Sequence, residues 1–407
     1  MTTTSPRSAR LPLLVLAYLG FVSLGLPDGL LGVGWPSIRA EFAVPTESVG
    51  LLLLSGTVGY LISSVVAGFS IARLGVGWLL AGSTALAALA LSGYAGSAGL
   101  PLMIGSALLL GLGSGAVDAG LNAYAAGAFG ARHMNWMHAC FGLGVALGPL
   151  IMTSVLTAGL AWRWGYGAVA IGQAVLALAF VLTVRIWADR GPAEPPGAEA
   201  EGPAGPAPVV GPVRIRETLA LPAVWFGALA FAVYVAVEVA AGLWAFLLLT
   251  EERGLSATAA GLCVSLYWGS LFVGRVVQGL VAERLGTRPV LVGSMLGMAL
   301  GSLLIALPAP AWVTVLGLGV LGFAAAPVFP LLTLTTVDRV GRRHTDRAIG
   351  LQVGASGLGG ALIPAGIGVL ISQLSLALLG PALLVLSVLM LGLYWASERP
   401  FRPVRPD

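Results

Sequence analysis

The sequence predicts an all-α membrane protein in which twelve transmembrane helices form two six-helix bundles, and three observations support this fold class. Hydrophobic residues make up 57% of the chain and charged residues 9%, whereas soluble domains are about 25% charged. Twelve apolar stretches are each long enough to cross a lipid bilayer. A polar segment in the middle of the chain divides these stretches into two sets of six.

The predicted spans follow from the length requirement of about 20 mostly apolar residues for each crossing. In the first half they are 12–35, 47–71, 77–97, 100–123, 134–158 and 163–185. In the second half they are 221–249, 257–281, 288–307, 311–336, 346–371 and 376–396. Between the halves the chain is rich in Pro, Gly and Ala without a hydrophobic period, which is typical of a flexible linker. We therefore expect an N-terminal bundle at 1–190, a cytoplasmic linker at 191–216 and a C-terminal bundle at 217–407.

The placement of arginine predicts the orientation in the membrane. All 21 basic residues are Arg, and seventeen of them fall in loops or tails on one side when the loops are assigned alternately. The other side holds Arg39, Arg163 and Arg253, and Arg275 falls inside a helix. By the positive-inside rule, the linker and both termini are expected in the cytoplasm, in a multi-pass protein of the cell (inner) membrane. The basic N-terminal tail has no signal-peptide cleavage site, so we expect it to be retained.

The two halves of the chain resemble each other. Residues 68–75, at the end of the second span, match residues 279–286, at the end of the eighth, with an offset of 211. Asp28 lies 210 residues before Glu238, the acidic residue inside the seventh span. A third pair of similar segments, in the fifth and eleventh spans, has an offset of 215. Three near-equal offsets predict a duplicated six-helix unit.

The duplicated loop resembles the signature motif of the major facilitator superfamily, G-x-x-x-(D/E)-R-x-G-x-(R/K). The second copy is nearly complete, whereas the first has Ala72 at the acidic position and Val76 and Gly77 where basic residues are usual. Within that superfamily, GLPDGLLGVGWPSIRAEF, GLGSGAVDAGLNAY, MNWMHACFGLGVALGP and FPLL resemble the fucose permease branch. The resemblance implies the major facilitator fold and a gate at the duplicated loop. The residues it assigns to this gating motif are Gly68, Arg73, Gly75, Gly279, Glu283, Arg284, Gly286 and Arg288.

Asp28 lies near the middle of the first predicted span, where a carboxylate costs about 2.5–3.5 kcal/mol on insertion scales. One interpretation is structural, because Pro27 and Gly29 flank it and could break the helix, which the carboxylate would cap. The other is a proton carrier or a substrate ligand, because a buried carboxyl group is easier to protonate than one in water. Fucose permeases use a helix 1 carboxylate in sugar recognition, and the resemblance implies that role for Asp28.

Asp118 is the second acidic candidate. The residues Gly111, Gly115, Asp118 and Asn122 are spaced so that they share one helical face. Asp118 is therefore interpreted either as a proton carrier or as half of a helix-clamping pair with Asn122. In fucose permeases a carboxylate on helix 4 couples proton movement to transport. The resemblance gives that role to Asp118, although the family acid is Glu. Asn122, on the same face, is a candidate substrate ligand.

The remaining candidates for substrate binding are polar or aromatic residues within the spans: His138, Glu238, Tyr267 and Gln352. His138 could contact a sugar hydroxyl or relay a proton, and a structural role is an equal alternative. Glu238, one turn after Tyr234, could bind substrate or a proton, or could pair with a neighbouring helix. Arg275 lies one turn before the second gating motif, and we expect it to pack at the gate.

Several other chemistries find no support in the sequence. There is no phosphate-binding loop, no lysine for Schiff-base chemistry and no Gly-x-Ser-x-Gly segment between a strand and a helix. The three histidines are too scattered for a zinc site. Cys140 and Cys263 lie in apolar segments, which does not fit a disulfide framework. We therefore expect neither an enzyme, nor a cofactor or metal, nor a nucleic-acid partner.

The sequence favours a proton-coupled symporter of a small polar solute such as a sugar, acting as a monomer in the bilayer. The first alternative is a proton-driven exporter of lipophilic compounds, because Gly144-x-x-x-Gly148-Pro149 partly matches the motif of drug exporters. The second alternative is a membrane receptor or scaffold that does not transport. The buried acids disfavour it, since a scaffold has little use for charged groups inside the membrane.

Overall fold

The computed structural model describes residues 10–129, 131–187 and 215–398, except for the side chains of 10, 126–127, 131–132, 135 and 279–283. Nearly all of the predicted linker lies outside the described residues, as do both ends of the chain. Within the described ranges every regular element is a helix. Eleven of these helices are long and apolar enough to cross a membrane. The predicted all-α membrane fold is confirmed.

The helices of the N-terminal half are α1 (Arg10–Phe42), the long helix Val49–Ala95 with its two arms α2 (49–74) and α3 (76–95), α4 (Leu100–Ala128), α5 (Ala131–Thr157) and α6 (Arg163–Trp187). The spanning helices of the C-terminal half are α7 (Pro222–Leu247), α8 (Ala257–Leu285), α9 (Thr287–Ala306), α10 (Ala311–Ala325, continued as Val328–Leu334), α11 (Thr345–Gln373) and α12 (Leu379–Ser397). Two short helices, Ile215–Leu219 and Thr336–Val340, lie beside them.

The helix Val49–Ala95 is two membrane crossings joined at Gly75. This glycine has φ 78° and ψ 160°, a conformation that residues with a Cβ atom rarely adopt. Both arms contact the same level of α4, because Gly111 lies against the backbone of Gly56 while Gly113 lies against that of Ser83. The chain therefore turns back at Gly75. The eleven apolar helices contain the twelve predicted crossings.

The internal duplication is visible in the backbone geometry. Gly286, between α8 and α9, has φ 82° and ψ 157°, close to the values of Gly75. In α5, Gly144 lies against Val22 of α1, and in α11, Gly359 lies against Ala232 of α7. These two contacts are related by the offsets of the sequence repeat, 215 for the glycines and 210 for their partners. The two halves thus use the same glycine contacts to pack equivalent helices.

The two bundles meet on one side of the membrane. We call this side Arg-poor, because its loops hold few arginines, and the side of Gly75 and Gly286 Arg-rich. On the Arg-poor side, Gly50 of α2 contacts Ala365 of α11, and Gly32 of α1 contacts the backbone of Gly242 in α7. Gly261 of α8 lies against Thr153 of α5. Glycine lets these helix backbones approach closely across the seam.

Towards the Arg-rich side the same helix faces separate. Gly357 of α11 contacts Thr57 of α2. Gly350 lies two turns before Gly357 on the same face of α11. No described atom of another helix lies within 4 Å of the position of a Cβ atom at Gly350. The same holds for Gly68, on the matching face of α2. The described residues therefore form a cleft that is closed on the Arg-poor side and open on the Arg-rich side.

We expect the variant pair Thr57→Cys and Gly357→Cys to form a disulfide under mild oxidation. The Cγ2 atom of Thr57 lies 3.3 Å from the position of a Cβ atom at Gly357, and bridged cysteines have Cβ atoms about 3.5–4.5 Å apart. The natural Cys140 and Cys263, which are free, would be replaced by Ser. Non-reducing mass spectrometry of the digested protein detects the bond.

The matched control is the pair Gly68→Cys and Gly350→Cys, which lies on the same two helix faces but in the open half of the cleft. This pair should stay unlinked under the same conditions. If the control pair links and the Thr57 and Gly357 pair does not, the cleft opens on the opposite side.

The orientation predicted by the arginine bias can be measured by thiol labelling in the same cysteine-free background. Ala198→Cys, in the predicted linker, should react with a membrane-impermeant maleimide only after intact cells are permeabilised. Ala98→Cys, at an exposed position between α3 and α4, should react without permeabilisation. Ready labelling at position 198 in intact cells would overturn the predicted orientation.

Candidate substrate and proton site

Asp118 of α4 is held by two hydrogen-bond donors. The Tyr60 hydroxyl of α2 donates to Oδ2 at 2.6 Å, and the Asn122 amide donates to Oδ1 at 2.9 Å. The glycine face predicted from the spacing allows this approach, because Gly115 lies against the backbone of Tyr60. Each oxygen atom of this carboxylate therefore accepts one hydrogen bond. Sequence reasoning found Asp118 and Asn122 but missed Tyr60, which lies 58 residues earlier in an apolar segment.

Glu238 of α7 lies in a second polar cluster, in the C-terminal bundle. Its carboxylate accepts a short hydrogen bond from the Tyr234 hydroxyl, one turn earlier on the same helix. Its Oε1 atom lies 3.8 Å from Nη2 of Arg275 on α8. Its backbone oxygen accepts a hydrogen bond of 2.8 Å from the Tyr267 hydroxyl. Of the alternatives for Glu238, the structure therefore shows a pair with a neighbouring helix.

The expected position of Arg275 at the gate is wrong. The guanidinium of Arg275 pairs with Glu238, and its Nη1 atom lies 3.7 Å from the position of a Cβ atom at Gly142 on α5. A side chain with a charged end can reach across the seam here because Gly142 leaves room for it. An unpaired Arg inside a membrane helix is energetically costly, so Arg275 needs an acidic partner. The acid inside α7, Glu238, is the sequence signal that could have predicted this pair.

His138 of α5 lies between the two clusters. Its ring packs edge-on against Phe21 of α1, with ring centroids 5.1 Å apart. It is within electrostatic range of Asp118 in its own bundle and of Arg275 in the other. His138 is therefore the residue that links the polar cluster of the N-terminal bundle to that of the C-terminal bundle.

Asp28 has an exposed side chain, and among the described residues it has no hydrogen-bond or ion-pair partner. It lies within electrostatic range of Glu238 on α7 and of Tyr60, Tyr94 and Tyr166 on three helices of its own bundle. Because these residues surround it from both bundles, its exposed surface faces the cleft between them. Asp28 is the acid in this cleft that is left without a donor.

The structural interpretation of Asp28 as the cap of a helix break does not hold, because α1 continues from Arg10 to Phe42 without interruption. Pro27 lacks the N–H group that would bond the Ser23 carbonyl. The Gln173 amide of α6 donates to this carbonyl instead, at 3.1 Å. The proline therefore needs no carboxylate to repair its missing hydrogen bond.

The other predicted substrate ligands do not reach the cleft. Tyr267 is fully buried, and its hydroxyl donates to the backbone oxygen of Glu238. Gln352 of α11 is 1% exposed, and its Oε1 atom accepts a hydrogen bond of 3.0 Å from Thr336. Its Nε2 atom faces Gly227 of α7. We therefore leave Tyr267 and Gln352 out of the direct substrate contacts proposed below.

The gating motif contributes turns and exposed charges in this conformation. Gly75 and Gly286 form the equivalent turns described above, while Arg73 and Arg284 are exposed. Arg288 forms an ion pair of 2.7 Å with Glu398, at the end of α12. Among the described residues, no atom of another helix lies within 4 Å of the position of a Cβ atom at Gly68. The surroundings of Gly279 and the side chain of Glu283 are not part of what the structure describes. This arrangement fits a gate that is open on the Arg-rich side.

Replacing one partner of the Glu238 and Arg275 pair should destabilise the protein more than replacing both. Removing one partner of a fully buried pair costs about 3–5 kcal/mol, because the other charge is left without compensation. The 3.8 Å separation and the partial exposure of the two side chains, 13% and 20%, should make the loss smaller here. Thermal unfolding of the purified variants Glu238→Gln, Arg275→Gln and the double variant in detergent measures this.

The double variant should unfold at a higher temperature than either single variant. If its loss of stability equals the sum of the two single losses, the two charges do not interact, and the pairing is wrong.

Comparison with known proteins places the chain in a family. The model of the family described as Major Facilitator Superfamily matches residues 17–247 and 230–407. No match is found among the sequences of curated proteins.

Three solved structures share the fold. The nucleoside transporter NupG has a TM-score of 0.69 and 16% identity, over 96% of this chain and 98% of its own. A D-xylose-proton symporter has a TM-score of 0.73 and 14% identity, over 93% and 97%. A bacterial homologue of the human lysosomal transporter Spinster, in an inward-facing and occupied conformation, has a TM-score of 0.72 and 14% identity, over 98% of both chains. With the family model covering both bundles, the chain belongs to the major facilitator superfamily and is a multi-pass membrane transporter, not an enzyme.

Proposed function

We propose that this transporter is a proton-coupled symporter of a small polar solute such as a sugar, and that it works by alternating access. The observation that carries the proposal is a difference in hydrogen bonding between two acids in one cleft. Asp118 is held by two donors, whereas Asp28 faces the cleft without a partner. One acid is thus placed to exchange a proton within a fixed network, and the other is free to bind a solute.

Asp118 is proposed as the proton carrier because its network reaches the seam between the bundles. Tyr60 donates to Asp118, and one turn earlier on α2 Thr57 contacts Gly357 of α11. Protonation of Asp118 weakens the charge-assisted bond from Tyr60. A change of proton occupancy therefore acts on the helix that closes the Arg-poor side.

Asp28 is proposed as the main solute ligand, with His138 and Asn122 as polar neighbours. A free carboxylate can accept two hydrogen bonds from adjacent hydroxyl groups. Glu238 lies within electrostatic range of Asp28 from the opposite bundle. A solute bound at Asp28 would therefore contact both bundles, which the rocking of two halves around a central site requires.

The same proposal covers the membrane that contains the protein and the side on which the cleft opens. From the arginine bias we infer that the Arg-rich side faces the cytoplasm and that the protein lies in the inner membrane. In that orientation the described conformation is open to the cytoplasm. The similar D-xylose-proton symporter and nucleoside transporter, by their names, move small polar solutes, which supports the class of solute proposed here.

The exporter alternative loses its main support. It rested on Gly144 and Gly148 in α5, which partly match the motif of drug exporters. Both glycines lie against the backbone of α1, at Val22 and Gly29. The same packing recurs at Gly359 of α11, so helix packing accounts for these glycines without an export function.

Asp118→Asn should abolish accumulation of solute driven by a pH gradient but retain solute exchange without a gradient, because a neutral amide imitates the protonated acid. Asp28→Asn should instead weaken solute binding about 10- to 100-fold. This is the effect of losing a charge-assisted hydrogen bond of about 1.5–3 kcal/mol. Both are measured in proteoliposomes, with uphill uptake and counterflow recorded side by side.

The matched control is Asp338→Asn, which neutralises an exposed acid on the helix Thr336–Val340, outside the cleft. This variant should keep both activities. If Asp118→Asn still concentrates solute against its gradient, the assignment fails, and Glu238 becomes the next candidate for the proton carrier.

A further inference from the structure

We infer that the solute carries a positively charged amino group, so that the site takes a small polar amine such as an amino sugar in preference to a neutral sugar. This inference rests on the proposed function and narrows its substrate class. It comes from the charges that the described residues place in the cleft. These are three carboxylates, one guanidinium and one imidazole: Asp28, Asp118, Glu238, Arg275 and His138.

Two of the three carboxylates have compensation within the protein. Glu238 is paired with Arg275 and also accepts a hydrogen bond from Tyr234, so this cluster is neutral in sum. Asp118 accepts from Tyr60 and Asn122, and in the proposed mechanism it becomes neutral when it takes up the coupled proton. Neither group needs a charge from the solute.

Asp28 has no such compensation. Among the described residues it has neither a hydrogen-bond donor nor an ion-pair partner, and the charged group within its electrostatic range is Glu238, which has the same sign. Arg275 is already engaged by Glu238. When the cleft closes around a solute, Asp28 is enclosed at low dielectric, where an uncompensated charge is strongly unfavourable.

A solute ammonium group removes this unfavourable charge. It donates charge-assisted hydrogen bonds to Asp28. With the coupled proton on Asp118, the negative charges of Asp28 and Glu238 are then balanced by the ammonium group and Arg275. The Tyr166 hydroxyl, within electrostatic range of Asp28, is buried and has no hydrogen-bond partner among the described residues.

A second proton, bound by Asp28 itself, is the competing way to neutralise the site, and it would suit a neutral sugar. The two possibilities differ in a measurable preference. A site with ionised Asp28 discriminates between an amine and its neutral N-acetyl counterpart, whereas a site with protonated Asp28 does not.

The test measures binding of matched pairs to the full-length protein in nanodiscs by isothermal titration calorimetry. The probes are D-glucosamine, D-galactosamine and D-mannosamine, each with its N-acetyl derivative and its parent sugar, in neutral buffer. At least one amine should bind about 10-fold tighter than both of its neutral counterparts, as expected for one charge-assisted hydrogen bond. In Asp28→Asn this preference should fall to about 2-fold or less, while Asp338→Asn should retain it.

A second measurement uses the preferred amine in proteoliposomes on a solid-supported membrane. Symport of one ammonium solute with one proton moves two charges for each solute, whereas a neutral solute with one proton moves one. The ratio of charge to solute flux should therefore be about 2, the sum of these two unit charges.

Several outcomes would overturn the inference. Equal or tighter binding of the neutral sugars, a preference that survives in Asp28→Asn, or the absence of binding by every amine would each contradict an ammonium solute. If neutral sugars bind and accumulate with protons, the proposed function stands and the inference alone fails. If lipophilic compounds bind and none of the sugars or amines does, the proposed function fails as well.

Discussion

Backbone contact between α1 and α5 is the interaction on which the rest of the N-terminal bundle depends. Gly25 and Gly29 of α1 lie against α5, and Gly144 and Gly148 of α5 lie against α1, at distances that leave no space for a side chain. With little hydrophobic force between helices in lipid, such close packing supplies much of their association. It also fixes the rotation of α1 about its axis. Because Gly25 and Gly29 must face α5, Asp28 is turned towards the space between the bundles.

The position of each charge in the cleft follows from this packing and from the low dielectric of the membrane interior. Glu238 and Arg275 form an ion pair, and Asp118 accepts hydrogen bonds from donors on two helices. Gly142 leaves room for Arg275 beside α5, which brings a charge of the C-terminal bundle to the seam. The polar clusters of the two bundles are therefore near enough to affect each other through His138. Asp28 differs from them because it has no hydrogen-bond or ion-pair partner among the residues that the structure describes, and this difference supports its assignment to the solute.

The fold and the acids could be predicted from the sequence because both leave local patterns. The lengths of the apolar stretches predict the twelve crossings, and Gly75 lies at the turn between the second and third of them. Asp28, Asp118 and Glu238 stand out because charged residues are rare in membrane spans. Tyr60 could not be predicted, since a tyrosine in an apolar segment does not reveal its partner 58 residues away. The burial of Gln352 behind Thr336 likewise depends on how α11 is rotated, which residue spacing does not determine.

The proposed coupling between proton and solute requires that the two proposed sites act on one moving part, and α2 meets this requirement. Tyr60 connects α2 to Asp118 and lies within electrostatic range of Asp28, while Thr57 contacts Gly357 across the seam. A ligand shifts a conformational equilibrium only through its different affinities for the two states. A proton at Asp118 changes the bond from Tyr60, and a cation at Asp28 changes the field around the same residue. Both ligands can therefore bias the same contact between α2 and α11, although their sites are on different helices.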